Sequence, residues 1–170
     1  MQPLQTCITL TLILTCLLNV CSCNQTGDNI YINTVYGYRI TGPEGWLAAE
    51  AESTGGVSFL APYSYFVNIV TSAETTTDTL PQYRDKEKDR LVRSTLWVNT
   101  VIIQEGPTQV NSYNALFIDY TYQMQSTIKA REIIMVESGN AYIITYQAEA
   151  AYFDDHFSEF VECLGSFVLL

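Results

Sequence analysis

The sequence predicts an α+β protein: an α/β/α sandwich on a mainly antiparallel sheet of about six or seven strands, with two main helices. Three observations lead there. From about position 30, short runs of Val, Ile, Tyr and Phe alternate with Gly, Pro and Asn, which is strand and turn punctuation. Two stretches of helical period interrupt it, one opening at Thr79 and one at Ala150. The best strand candidates are apolar on both alternating sides, so both faces of the sheet need cover.

In chain order, 36–40 and 57–61 read as early strands and 65–72 as a longer one. Between the first two, Gly42-Pro43-Glu44-Gly45-Trp46 has the composition of a turn, with Trp46 available to cover a sheet edge. Thr79-Leu80-Pro81-Gln82 has the form of a capping box, and Pro81 is tolerated in a first turn because its missing N–H has no intrahelical partner. Leu80, Tyr83, Glu87 and Leu91 then share one stripe. Asp85, Lys88, Asp89 and Arg93 provide pairs of opposite sign on the solvated face, while Lys86, Arg90 and Arg93 gather on one side.

Four further strands are expected at 97–104, 115–123, 128–136 and 141–147. Glu137-Ser138-Gly139-Asn140 joins the last two as a hairpin, which makes them antiparallel. A second helix is expected over 150–164, with Phe153, Phe157, Phe160 and Leu164 as its buried stripe. A short strand at 167–170 closes the fold.

The first 27 residues carry no charge, and 7–20 (CITLTLILTCLLNV) is apolar apart from Thr and Asn. A core helix would show a polar stripe, so this run reads as a targeting segment. It ends at Val20-Cys21-Ser22-Cys23, which resembles the lipobox of prokaryotic lipoproteins. On that resemblance residues 1–22 are a lipoprotein-type signal peptide. Cys23 carries the lipid as the first mature residue, 23–29 is a polar tether and 30–170 is the folded domain. The n-region MQPLQT lacks the usual Lys or Arg, and the uncharged stretch is also long enough to remain as a membrane helix. Either way the domain is expected at the cell membrane, on its extracytoplasmic face. Cleavage removes Cys7, Cys16 and Cys21 and lipid caps Cys23, leaving Cys163 as the one thiol of the domain, so no internal disulfide is expected. Asn24-Gln25-Thr26 fits a glycosylation sequon by composition alone.

The landmarks Tyr38-Arg39-Ile40, Pro43-Glu44-Gly45-Trp46, Gly55-Gly56-Val57-Ser58-Phe59, Asn68-Ile69-Val70 and Thr79-Leu80 resemble those of PsbP-like domains, particularly PsbP-related lipoproteins of archaea and bacteria. Downstream, Ile102-Ile103-Gln104-Glu105-Gly106, Asn114-Ala115, Asn140 to Tyr146, Phe153-Asp154 and Ser166-Phe167 continue the resemblance across nearly all of the expected mature chain. It implies an α/β/α sandwich in a family of extrinsic or anchored accessory proteins that mostly lack enzymatic activity. Plant members support the oxygen-evolving centre of photosystem II. That role does not carry over, because no residue here matches a manganese-cluster or calcium duty.

The chemistry-bearing residues agree with a non-enzymatic reading. With 8 Lys+Arg against 18 Asp+Glu and a net charge of −10, the chain lacks the basic face that nucleic acid requires. His156 is the single histidine, and no G-x-S-x-G elbow presents a serine to it. On one helix His156 and Cys163 would stand about 10 Å apart along the axis, too far for a nucleophile and its base. Asp155, Glu159 and Glu162 read as a solvated helix face rather than a calcium site. The expectation is therefore an anchored accessory or protein-binding domain with no catalytic residue, metal or cofactor, bound to a membrane protein complex. Its alternatives are a small-molecule or metal-binding lipoprotein serving a transporter, and a hydrolase with an unrecognised site. A ligand site would show as a pocket with convergent polar groups. An adaptor would show an exposed apolar patch.

Overall fold

A computed structural model describes residues 29–51, 55–62 and 66–170. The signal segment 1–22, Cys23, Asn24 and the tether as far as 28 lie outside the described residues, as do 63–65 at the head of the third expected strand.

Two sheets form. β1 (Ile30–Asn33), β2 (Tyr38–Thr41) and β10 (Val168–Leu169) make a three-stranded sheet in the order β1-β2-β10. The other seven strands are β3 (Leu47–Ala51), β4 (Gly56–Leu60), β5 (Asn68–Thr75), β6 (Val98–Val110), β7 (Tyr113–Gln123), β8 (Thr127–Glu137) and β9 (Asn140–Glu149). They run in the order β3-β4-β5-β9-β8-β7-β6, every neighbouring pair antiparallel. At the β8–β9 hairpin Ser138 and Gly139 both take positive φ, 50° and 81°, the combination a two-residue turn needs to match strand twist. Gly56 is required for a different reason: a Cβ there would overlap the backbone carbonyl of Thr71, so only glycine lets β4 lie against β5.

α1 (Leu80–Arg93) covers one face of the large sheet, and its start is fixed as the sequence predicts, with the Thr79 N–H donating to Gln82 Oε1 at 2.9 Å. Its stripe of Tyr83, Glu87 and Leu91 is buried over Ile118, Tyr120, Ile128, Ala130 and Ile134. α2 (Phe157–Gly165) and the small sheet cover the other face. Tyr146 on β9 sits within a cluster of rings, stacked on Phe160 at 5.3 Å and packed on Phe153 at 4.8 Å, and its hydroxyl donates to the Phe153 carbonyl at 2.7 Å. The small sheet contributes Tyr38, Ile40 and Phe167 to this core, and Tyr38 donates to the Gly55 carbonyl at 2.9 Å.

The sandwich is thus the expected one, with four refinements. β1 and β3 are additional strands: β1 has only four residues, and β3 (LAAEA) has weak strand propensity. β6 runs on past 104, where the expected strand ends, to Val110 with Gly106-Pro107 inside it, because an edge strand tolerates proline. The final strand pairs with β2 in the small sheet. The second helix begins only at Phe157, since residues 150–156 form turns; Phe153 joins the buried cluster from those turns and not from the helix.

Candidate interaction surface

The residues the sequence singles out for chemistry are not brought together. Cys163 is buried, and loss of solvation pushes its thiol up to about 12, so it stays protonated. His156 stands just before α2 and pairs through Nδ1 with Glu159 at 2.7 Å, which takes Glu159 away from Asp155 and Glu162. Among the described residues no three His, Cys, Asp or Glu side chains converge as metal ligands. On α1, Lys86 pairs with Asp78, Arg93 with Asp89 at 3.1 Å and Arg90 with Glu87, so each cation of the cluster already has an acidic partner within the domain.

Arg90 leads to a group that sequence reasoning missed. Its Nε donates to Glu87 at 2.5 Å, its NH2 group lies 3.7 Å from Glu132, and its guanidinium covers the Trp97 ring at 4.9 Å. Glu132, in the middle of β8 beneath α1, is 1% exposed. Its Oε2 lies at the 3.5 Å limit of a hydrogen bond from Thr145, and its Oε1 has no partner. Burial, then the neighbouring Glu87 carboxylate, raise its carboxyl to about 8, against the lowering effect of Arg90. A sealed acid of this kind, shut beneath a packed helix, has no access to a substrate.

The surface feature that remains is apolar. β6 is the edge of the large sheet, and Val98, Val101 and Ile103 along it are each more than half exposed. Ile102 pairs with Tyr120 on the α1 side of the sheet and its neighbours Val101 and Ile103 are exposed at the edge, while a register shift between Val98 and Val101 brings Val98 to the same side as Val101; a second shift falls between Ile102 and Gln104. Val98 pairs in register with Gln123, whose neighbour Met124 is exposed, and Val92 in the last turn of α1 and Leu96 just after it are exposed as well, Leu96 at 77%. From Val92 to Gln104 the single charge is Arg93, in a chain of net charge −10. Exposed apolar side chains gathered over one short stretch of chain at a sheet edge make this a candidate interaction surface. Further along β6, Glu105 and Pro107 blunt the edge against strand addition, so the patch offers side chains rather than a backbone ladder.

No family model and no curated protein matches the sequence. Solved structures do match its architecture. The cyanobacterial PsbP protein CyanoP from Synechocystis sp. PCC 6803 superposes over 89% of this chain and 99% of its own, with a TM-score of 0.61 at 16% identity. This chain has the PsbP-like fold. Two more distant bearers of it are LpqN of Mycobacterium tuberculosis and Mog1p of Saccharomyces cerevisiae. LpqN matches with a TM-score of 0.58 at 9% identity over 86% of this chain and 92% of its own. Mog1p matches with a TM-score of 0.55 at 11% identity over 85% and 96%. At these identities the PsbP-like scaffold is what is shared, and function rests on this chain's own surface.

Proposed function

We propose that the protein is a non-enzymatic accessory domain, anchored by lipid at Cys23 on the extracytoplasmic face of the cell membrane, that binds a protein of a membrane complex through the apolar surface around the start of β6. One observation carries the reading: an uncharged apolar run over 7–20 leads through Val20-Cys21-Ser22-Cys23 directly into a PsbP-like domain that exposes apolar side chains from a stretch, 92–104, without a single acid. The neighbours lend support, since LpqN is described as involved in cell envelope biogenesis and Mog1p as a Ran-binding protein, so the same scaffold serves an envelope role and protein binding elsewhere. Two groups among the described residues that could have been reactive are not presented for chemistry: Cys163 is held protonated and Glu132 is sealed.

Intact mass and fractionation of the full-length protein, beside Cys23→Ser, test the anchor. The native protein is expected to begin at Cys23 with a lipid adduct and to sediment with membranes. The serine variant should lose the adduct and begin upstream of position 23, because the Cys23 sulfur is what carries the thioether-linked diacylglyceryl group whose two chains give stable anchoring. An unmodified, soluble native protein would overturn the reading.

A further inference from the structure

The small sheet has a face that packs against nothing in the core. Cross-strand partners in an antiparallel pair share a side. Tyr31 and Asn33 of β1, Tyr38 and Ile40 of β2, and Phe167 and Leu169 flanking Val168 of β10 point inward, where Tyr38, Ile40 and Phe167 are 1% exposed or less. The alternating residues therefore point out. Ile30 pairs with Thr41, Ile32 with Arg39, and Arg39 with Val168, so one face carries Ile30, Ile32, Arg39, Thr41 and Val168. Ile30 and Ile32 are 48% and 54% exposed, and Val35 in the turn at the end of the same sheet is 83% exposed. In a chain with 18 Asp+Glu, the one ionisable side chain on this face is a cation.

Connectivity says what covers it. The side-chain amide of Asn29 donates to the carbonyls of Pro43 and Trp46 at 2.9 and 2.7 Å, pinning the point where the chain enters the domain, and β1 starts at the next residue. From Cys23 to Ile30 is seven residues, which reach about 25 Å at most when extended. An anchor at Cys23 thus holds the β1 face within a short tether of the bilayer. We infer that the outer face of the β1-β2-β10 sheet rests on the lipid surface, with Ile30, Ile32 and Val35 entering the headgroup–acyl boundary and Arg39 meeting lipid phosphates. The inference rests on the lipid-anchored reading and adds an orientation to it. The β6–β7 turn touches this sheet where the Asn111 amide donates to the Phe167 carbonyl at 2.7 Å. The patch lies from about 23 Å (Ile103) to about 40 Å (Val98) further along that strand from Val110, given some 3.3 Å per residue, so it projects away from the bilayer.

The test uses full-length protein purified with its native N-terminus and reconstituted into phosphatidylglycerol–phosphatidylethanolamine vesicles, with or without brominated acyl chains. Ile32→Trp and Ile30→Trp report from the β1 face, the second serving if the first does not fold, and Leu96→Trp reports from the β6 patch. Bromolipid is expected to quench the added tryptophan at 30 or 32 at least two-fold and to leave the one at 96 unchanged, each measured against the native protein. Flotation of the vesicles reports the anchor separately. Protein that floats with position 32 or 30 unquenched, or with position 96 quenched equally or more, overturns the orientation and leaves the anchor standing. Protein that does not float overturns both.

Discussion

Glu132→Gln is expected to raise the melting temperature at pH 8 and above and to leave it nearly unchanged at pH 4. The carboxyl has an ordinary value near 4.5 when solvated and about 8 in the fold, because burial disfavours its charged form. Below the unfolded value it is protonated in both states and costs nothing. As pH rises from 4.5 toward 8 the unfolded chain releases this proton while the folded chain keeps it, so the unfolded state binds fewer protons and stability falls throughout that window. The whole interval is worth on the order of a few kcal/mol. The groups facing Glu132 set the direction: Glu87 and Tyr83 of α1 and Tyr120 of β7 surround it, and Arg90, bound first to Glu87, is its single cation. Glutamine removes the titration and keeps the shape. Melting curves across this pH range check it, and a gap that stays constant or narrows as pH rises would show that Glu132 is ionised in the fold.

The second large effect belongs to the apolar patch. Val101→Asp combined with Ile103→Asp should reduce the protein recovered with the anchored domain at least ten-fold, because two charges at the centre of an apolar contact are desolvated without a partner. Both positions are more than half exposed, so folding should lose no more than about 0.5 kcal/mol at each site, and the melting temperature should move little. Pull-down and melting are read together: loss of the partner in a protein that melts normally supports the patch, whereas unchanged recovery refutes it.

How far the sequence alone reveals this molecule depends on whether local or long-range forces decide. The α1 stripe of Tyr83, Glu87 and Leu91 and the β8–β9 hairpin are local, and each is legible from spacing and turn chemistry. The small sheet is not, since β10 pairs with β2 across more than a hundred residues and β1 has only four residues. Glu132 left a trace that parity reveals: along β8 it alternates with Ala130 and Ile134 on the buried side, while Lys129 and Arg131 take the other. A carboxylate in phase with core residues is the signal, hidden because strand charges are ordinarily solvated. The patch was unreadable for a different reason. Alternation sets Val101 and Ile103 opposite Ile102, but Val98, three residues from Val101, reaches their side only through the register slip between them, and a bulge has no reliable local signature.

The most direct test of the account is photo-crosslinking in native membranes from a benzophenone side chain at position 103, with the same probe at Tyr152, exposed on the turns before α2, as the control. The account predicts one discrete protein adduct from position 103 that disappears with Cys23→Ser, and none from position 152. No adduct from 103, or the same adducts from both positions, would contradict it.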